Sequence, residues 1–252
     1  TTGAVLHGYL SLVIPVQRGD TACVLKVAWL DESTKDEALA LDAWAGQGAV
    51  RLFAAEPALG AMLLERLDHT RSLEAVEIGE ALMIAGRLLR LLAIPAPPAL
   101  RRLPVVAADL AAGFPARWAR YGRSIPAPII EQASALAREL APSAGALLVN
   151  YDLHYADVLA AERAPWLVVD PKVVSGDPEY GIAQLLWRRL EEIKAHGGLD
   201  FHFKRLCEAA ELDEQRSRAW TLVRCVDYWL WGLSVGLTAD PARCAAISDW
   251  LV

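Results

Sequence analysis

Asn150-Tyr151-Asp152-Leu153-His154-Tyr155-Ala156-Asp157, then Val158-Leu159, a polar turn over residues 160–164, and Trp166-Leu167-Val168-Val169-Asp170-Pro171 form the stretch whose reading decides the fold. Two short apolar runs around a polar turn are a hairpin pattern. A hairpin returns its end to its beginning, so Asp170 comes back beside Asp152 and Asp157. Three carboxylates in this order suit phosphoryl transfer. In such sites one Asp accepts or orients the proton of the attacking hydroxyl, a metal ligand lies five residues on, and a second metal-binding Asp follows the next hairpin. Magnesium takes hard oxygen ligands and keeps waters and phosphate oxygens in its other positions, so two protein carboxylates are enough. Any one of these residues alone would read as a turn or cap Asp. The ordered trio, with apolar strands between its members, points to chemistry.

Upstream, residues 10–16 and 21–29 are rich in Val, Leu and Ile and flank Arg18-Gly19-Asp20, an antiparallel hairpin pattern. Lys26 sits inside the second run, where a lysine pointed into a cleft can hold phosphates and one on an alternating strand can equally face solvent. Residues 31–45 have helical spacing, with Asp31 or Ser33 as caps and Glu37, Leu41, Trp44 and Ala45 on one face. Packed on the sheet, Glu37 can reach Lys26; Glu32 and Asp36 are its rivals. Residues 50–55 and 61–67 supply two more strands. After Leu67 the patterns turn helical, over 73–94, 105–121, 129–140, 180–196, 201–210, 214–237 and 241–250. Ile94-Pro95-Ala96-Pro97-Pro98 is a stiff break that no helix crosses. The expected architecture is α+β: a small antiparallel-sheet lobe with one helix over residues 1–67, and a larger, mainly helical catalytic lobe over 68–252. The cleft between them is the expected ligand site. Glu65-Arg66-Leu67 is the connecting hinge, whose main chain can meet an adenine edge.

The chain has 252 residues, 54% hydrophobic and 22% charged, enough to bury one large core or two coupled lobes. Its most apolar segment, 81–94, is interrupted by Gly86, Arg87 and Arg90, which excludes a membrane-spanning helix there. Cys23, Cys207, Cys225 and Cys244 are far apart and suggest neither zinc nor a disulfide framework, which fits the reducing cytoplasm. A net charge of −6 argues against nucleic acid and is compatible with a cationic small-molecule partner; it says nothing of oligomeric state.

With these residues in view, the chain resembles the aminoglycoside phosphotransferases, and most closely the streptomycin and hydroxyurea kinase branch. The likeness rests on Asp152-Leu153-His154-Tyr155, Val158-Leu159-Ala160, Pro165-Trp166-Leu167, Asp170-Pro171-Lys172 and Gly176-Asp177-Pro178. Weaker support comes from Val13-Ile14-Pro15-Val16, Val24-Leu25-Lys26-Val27, Leu63-Leu64-Glu65-Arg66-Leu67 and the turn at residues 5–8. The resemblance implies a protein-kinase-like bilobal fold, ATP with Mg²⁺, a small-molecule hydroxyl as acceptor, and a leading helix of the small lobe that is missing from this sequence. Carried over, it makes Lys26 the ligand of the α and β phosphates with Glu37 as its anchor, and it places Glu65, Arg66 and Leu67 at adenine. It makes Asp152 the base and Asp157 and Asp170 the metal ligands, with Asn150, His154 and Asp177 in support. Three positions depart from the family pattern: Tyr151 where a small residue is usual, Asp157 where Asn is usual, and Gly181 where an Asp is expected. Another metabolite kinase and a nucleotide-binding module without efficient transfer are the competing readings. Glu191, Glu192, Asp200, Asp227 and Asp240 are available to meet guanidinium or ammonium groups.

Overall fold

A computed structural model describes residues 3–8 and 10–252. Strands β1 (Leu6–His7), β2 (Ser11–Arg18), β3 (Thr21–Ala28), β4 (Leu52–Glu56) and β5 (Ala61–Glu65) form one antiparallel sheet in the order β1-β2-β3-β5-β4. The tight β2–β3 turn is where Gly19 takes a left-handed φ of 58°. Helix α1 (Glu37–Trp44) lies across this sheet and buries Glu37, Ala40, Leu41 and Trp44. It starts later than its pattern suggested. Asp31 spends its carboxylate on the Ser33 and Thr34 amides, so residues 31–36 form turns rather than the first helical turns.

The remaining chain is mainly helical: α2 (Ile78–Leu92), α3 (Leu103–Arg120), α4 (Ala127–Leu140), α5 (Ala183–Arg188), α6 (Leu190–Ala195), α7 (Gly198–Ala210), α8 (Glu214–Ser234) and α9 (Ala239–Leu251). In α2 the buried residues Ile78, Ala81, Leu82, Ala85, Leu89 and Leu92 recur at helical spacing. Gly86 on the same helix lets α7 come close, since a Cβ there would sit 2.9 Å from that of Ala209. The helix begins at Ile78 and not at 73 because Glu77 caps it, accepting from the Gly79 and Glu80 amides. The pattern over 180–196 divides at Arg189, whose φ of −125° is not helical.

The carboxylate hairpin is present as β8 (Val158–Ala160) and β9 (Trp166–Val168), in register Val158 to Val168 and Ala160 to Trp166. Besides β1, which lies in the expected turn at residues 5–8, the sequence pattern missed three short strands. Strand β6 (Asp68–Ser72) pairs with β8, while β7 (Leu147–Asn150) pairs antiparallel with β10 (Val173–Gly176). The last two are only four residues long and buried on both faces, so they show no alternation to read. The two parts of the molecule are tied together where residues 48–50 run beside β9: the Val168 amide donates to Gly48 O and the Val50 amide to Val168 O. The Trp44 indole donates to Leu92 O at 2.8 Å, adding a link from α1 to the end of α2. Among the described residues no helix is long and apolar enough to cross a membrane, and all four cysteines are free and buried.

Candidate active site

Lys26, in the middle of β3, is 4% exposed, so its ammonium needs a partner. Glu37 at the first turn of α1 provides it, with both carboxylate oxygens within 2.7 Å of Nζ, and Asp170 Oδ1 pairs with the same ammonium. Glu32 and Asp36 do not reach it; Glu32 pairs with Lys35. Burial pushes the Glu37 carboxyl up to about 7 against the pull of Lys26. Burial also opposes the charge on Lys26, but Glu37 and Asp170 together hold its pKa above the ordinary value.

Asp170 follows β9 with a left-handed φ of 51°, a conformation that Asp tolerates better than most residues. That bend turns its side chain toward the first sheet; burial raises its pKa, but Lys26, with smaller help from Lys172 and His154, brings it below the ordinary value. Asp157 stands at the start of the hairpin. Its main-chain O accepts from the Val169 amide at 2.8 Å, which brings the two acids side by side. Burial raises Asp157 to about 6, and the charge of Asp170 adds to the rise. His154 opposes it: its Nε2 lies 2.9 Å from Asp157 Oδ2, and this contact holds the imidazole above its ordinary pKa in spite of burial.

Asp152 lies on the loop after β7. Asn150 Oδ1 accepts from the Asp152 amide at 3.1 Å and so shapes the turn. Gln184 Nε2 donates to Asp152 Oδ1 at 2.8 Å, and Lys172 Nζ lies 2.5 Å from Oδ2. Sequence reasoning assigned no role to Lys172 or Gln184. Lys172 belongs to the quoted Asp-Pro-Lys motif; Gln184, on α5, has no local signal.

Lys26, Asp157, Asp170 and residues 65–67 line one cleft of about 350 Å³ between the first sheet and the β8–β9 hairpin. Val13, Val24, Val50, Leu64 and Leu159 give it apolar walls. The side chain of Glu65 is already committed. Arg163, from the β8–β9 turn, donates to Glu65 Oε1 at 2.8 Å and also to Gly46 O and Ala49 O. The Arg51 amide donates to Glu65 Oε2 at 3.1 Å.

Asp177 is 5% exposed and does not line the cleft. Its Oδ1 accepts from the Gly145 amide, and its Oδ2 accepts from Arg216 and from the Trp220 indole. Gly181 is explained by packing, since a Cβ there would come within 2.6 Å of Asn150 O. The bulk of Tyr151 is taken up against the edge of Tyr180 at 6.0 Å, with the Arg224 guanidinium 5.2 Å above its ring. The acidic residues proposed for a cationic ligand all have local partners: Glu191 with Lys194, Glu192 with Arg189, Asp200 with Arg218, Asp227 with Arg117, and Asp240 with Arg243. Of these, Asp227 lines a second cavity of about 210 Å³ beside Tyr151, together with Asp36, Arg101 and Arg224.

A sheet lobe carrying a buried Lys–Glu pair, set against a helical lobe carrying an ordered Asp trio, defines a protein-kinase-like fold. The model of the aminoglycoside/hydroxyurea antibiotic resistance kinase family matches residues 1–236, and the chain belongs to that family. The hydroxyurea phosphotransferase of Kitasatospora aureofaciens is 38% identical, over 99% of this chain and 74% of that protein. The streptomycin 6-kinase of Streptomyces griseus is 37% identical, over 99% of this chain and 83% of that protein. Among solved structures, the aminoglycoside phosphotransferase APH(4)-Ia in ternary complex with AMP-PNP and hygromycin B superposes with a TM-score of 0.70 at 15% identity, covering 99% of this chain and 94% of that one. Choline kinase LicA from Streptococcus pneumoniae gives 0.65 at 14% identity, covering 100% and 94%. At such identities these two structures speak to the fold.

Proposed function

We propose that the chain is an ATP- and Mg²⁺-dependent phosphotransferase that moves the γ-phosphate to a hydroxyl of a small molecule, with an aminoglycoside of the streptomycin kind as acceptor. The observation that carries this reading is the convergence of Lys26, held by Glu37, with Asp157 and Asp170 on one cleft, next to the loop that bears Asp152. The named activities of the relatives support the same chemistry. Residues 1–67 act as the nucleotide lobe and hinge, and residues 68–252 as the catalytic lobe. The protein is assigned to the cytoplasm, where ATP is available.

Lys26 binds the α and β phosphates, and Glu37 keeps its ammonium aimed. Adenine meets the main chain at residues 65–67, while the Glu65 side chain braces the hinge through Arg163. Asp157 and Asp170 offer only carboxylate oxygens, a donor set that fits Mg²⁺ completed by water and phosphate. Bound there, the metal neutralises charge on the phosphates. Asp170, here paired with Lys26, would be one of the two carboxylates to hold the metal, and the Lys26 ammonium would then be available to phosphate. Asp152 accepts the proton of the acceptor hydroxyl, and Asn150 and Gln184 fix its orientation. His154 holds Asp157, and Asp177 braces the helical lobe. Asp36 gives the second cavity a carboxylate for an amino or guanidino group of the acceptor, while Asp227 there is held by Arg117 and Arg224.

Hydroxyurea is the second acceptor, favoured by the 38% identical relative. The reading as a module that binds nucleotide without transfer, motivated by Tyr151, Asp157 and Gly181, is weakened because Tyr151 and Gly181 are both accommodated by packing; it now rests on Asp157 alone. Steady-state ADP release with streptomycin or hydroxyurea tests the proposal. Release that requires both Mg²⁺ and acceptor supports it. Tight ATP binding with no release for either compound or for a wider panel of amino alcohols and sugars would count against phosphotransfer.

A further inference from the structure

The Lys172 ammonium lies 2.5 Å from Asp152 Oδ2, its side chain is 30% exposed, and the Lys172 main-chain O accepts from the Tyr151 amide at 2.9 Å. Lys172 is thus clamped to the catalytic loop at both ends, through a motif whose lysine has so far had no function. Lys26, anchored by Glu37, serves the α and β phosphates in the scheme above and does not stand in for Lys172 beside Asp152.

We infer that Lys172 is a catalytic residue: a mobile countercharge that holds the Asp152 carboxylate in the resting site and moves to the phosphoryl group as it transfers. This rests on the phosphotransferase reading above and extends it to a residue outside that scheme. A hydroxyl in contact with its base lies about 2.6–3.2 Å from a carboxylate oxygen. Its oxygen must also stand about 3–3.5 Å from the γ-phosphorus to attack. The oxygens of the transferring group therefore fall within a few ångströms of the Lys172 ammonium, a distance that its four-carbon stem covers by rotation about side-chain bonds.

Charge accounting gives the contact its direction. The acceptor oxygen forms a bond to the γ-phosphorus, and the bond from phosphorus to the β,γ-bridging oxygen breaks. The electron pair of that bond stays on ADP, and the proton of the hydroxyl passes to Asp152. As Asp152 takes the proton it loses the charge that held Lys172, while the phosphoryl oxygens beside it remain anionic. The ammonium forms and breaks no covalent bond; it changes partner. A cation brought to the charge that develops in the transition state lowers the barrier without improving ground-state nucleotide binding.

Lys172→Met and Lys172→Gln remove the charge, and Lys172→Arg keeps it. With streptomycin as acceptor, the neutral variants should lose about 100-fold in kcat, with the ATP dissociation constant within about twofold of the parent, and Arg should recover most of the loss. A purely orienting lysine predicts the same kinetics, so the deciding readout is binding of ADP with Mg²⁺ and fluoroaluminate, a mimic of the transferring group. The parent should bind this pair more tightly than ADP alone. The neutral variants should lose that gain and keep their affinity for ADP. Neutral variants that retain the gain, or retain kcat within threefold, overturn the role of Lys172 and leave the phosphotransferase reading intact. A parent that gains nothing from fluoroaluminate and transfers to no acceptor overturns both. Thermal melts of each variant identify a folding defect, and the second neutral variant then decides the question.

Discussion

Replacing Asp177 by Asn tests whether this conserved-size swap at a buried carboxylate acts on the scaffold and not on the chemistry. One oxygen, Oδ2, takes three donors, from Arg216 Nε and Nη2 and from Trp220 Nε1, while Oδ1 takes the Gly145 amide. Asn can satisfy only one side. With its amide nitrogen at the Oδ2 place it faces three donors; with the nitrogen at the Oδ1 place it faces one. The second orientation wins, and it sets the N–H of the solvent-exposed Gly145 against a donor in place of a carboxylate oxygen, at about 1–2 kcal/mol. The contact with Arg216 also changes from ionic to neutral, and a charge-assisted bond is roughly twice as strong as a neutral one. The sum is about 2–4 kcal/mol. Asp177→Ala leaves the buried Trp220 indole without its acceptor and Arg216 with only the Ser143 hydroxyl, and falls at about 3–5 kcal/mol. For a chain of this size each kcal/mol moves Tm by about 2–4 °C, so Asp177→Asn should melt on the order of 10 °C lower. Equilibrium urea unfolding of both variants, with Arg216→Ala and the double variant to close a thermodynamic cycle, measures the loss and the coupling. Asp177 does not line the cleft, so kcat below the melting transition should fall less than tenfold. A stability loss below about 1 kcal/mol, or a kcat loss of the size expected for Asp152→Ala, would refute the assignment of Asp177 as a brace.

Two other substitutions probe the hinge and the catalytic loop. Arg163→Ala removes the clasp from Glu65, Gly46 O and Ala49 O, and should raise the KM for ATP by about three- to tenfold, the equivalent of about 1 kcal/mol, while leaving kcat at saturating ATP nearly unchanged; a change in kcat alone would contradict this. Gly181→Ala places a Cβ 2.6 Å from Asn150 O, which has to shift. It should cost about 1–3 kcal/mol in stability and lower kcat, since Asn150 shapes the turn that carries Asp152; an unchanged melting temperature and kcat would show that the loop gives way freely.

The hairpin of the carboxylates was legible because Val158-Leu159 and Trp166-Leu167-Val168 are apolar on either side of a polar turn, and a turn fixes where the chain returns. The Lys26–Glu37 pair was legible in part: a lysine on an alternating strand can equally face solvent, but Glu37 shares the face of Leu41 and Trp44 and so was the candidate to reach it. What the sequence did not disclose are contacts that the fold makes between distant segments. Arg163 and Glu65 are 98 residues apart, and Gln184 meets Asp152 across 32. Neither local pattern nor propensity carries that information. The strands β7 and β10 were missed because four buried residues are too few to show a period. The start of α1 was placed early because Asp31 serves equally as a helix cap and as the head of a turn, and here its carboxylate bonds decide for the turn. Gly181, where the family pattern expects an Asp, is a point of close approach, which only the position of Asn150 O makes visible.

The most direct measurement is mass spectrometry of streptomycin after incubation with the protein, ATP and Mg²⁺, run beside Asp152→Ala with ATP binding verified for both. The account predicts a product heavier by one phosphoryl group from the parent, none without Mg²⁺, and none above background from Asp152→Ala. Equal product from the parent and from Asp152→Ala would contradict the central claim that Asp152 takes the proton in a transfer assembled around Lys26, Asp157 and Asp170.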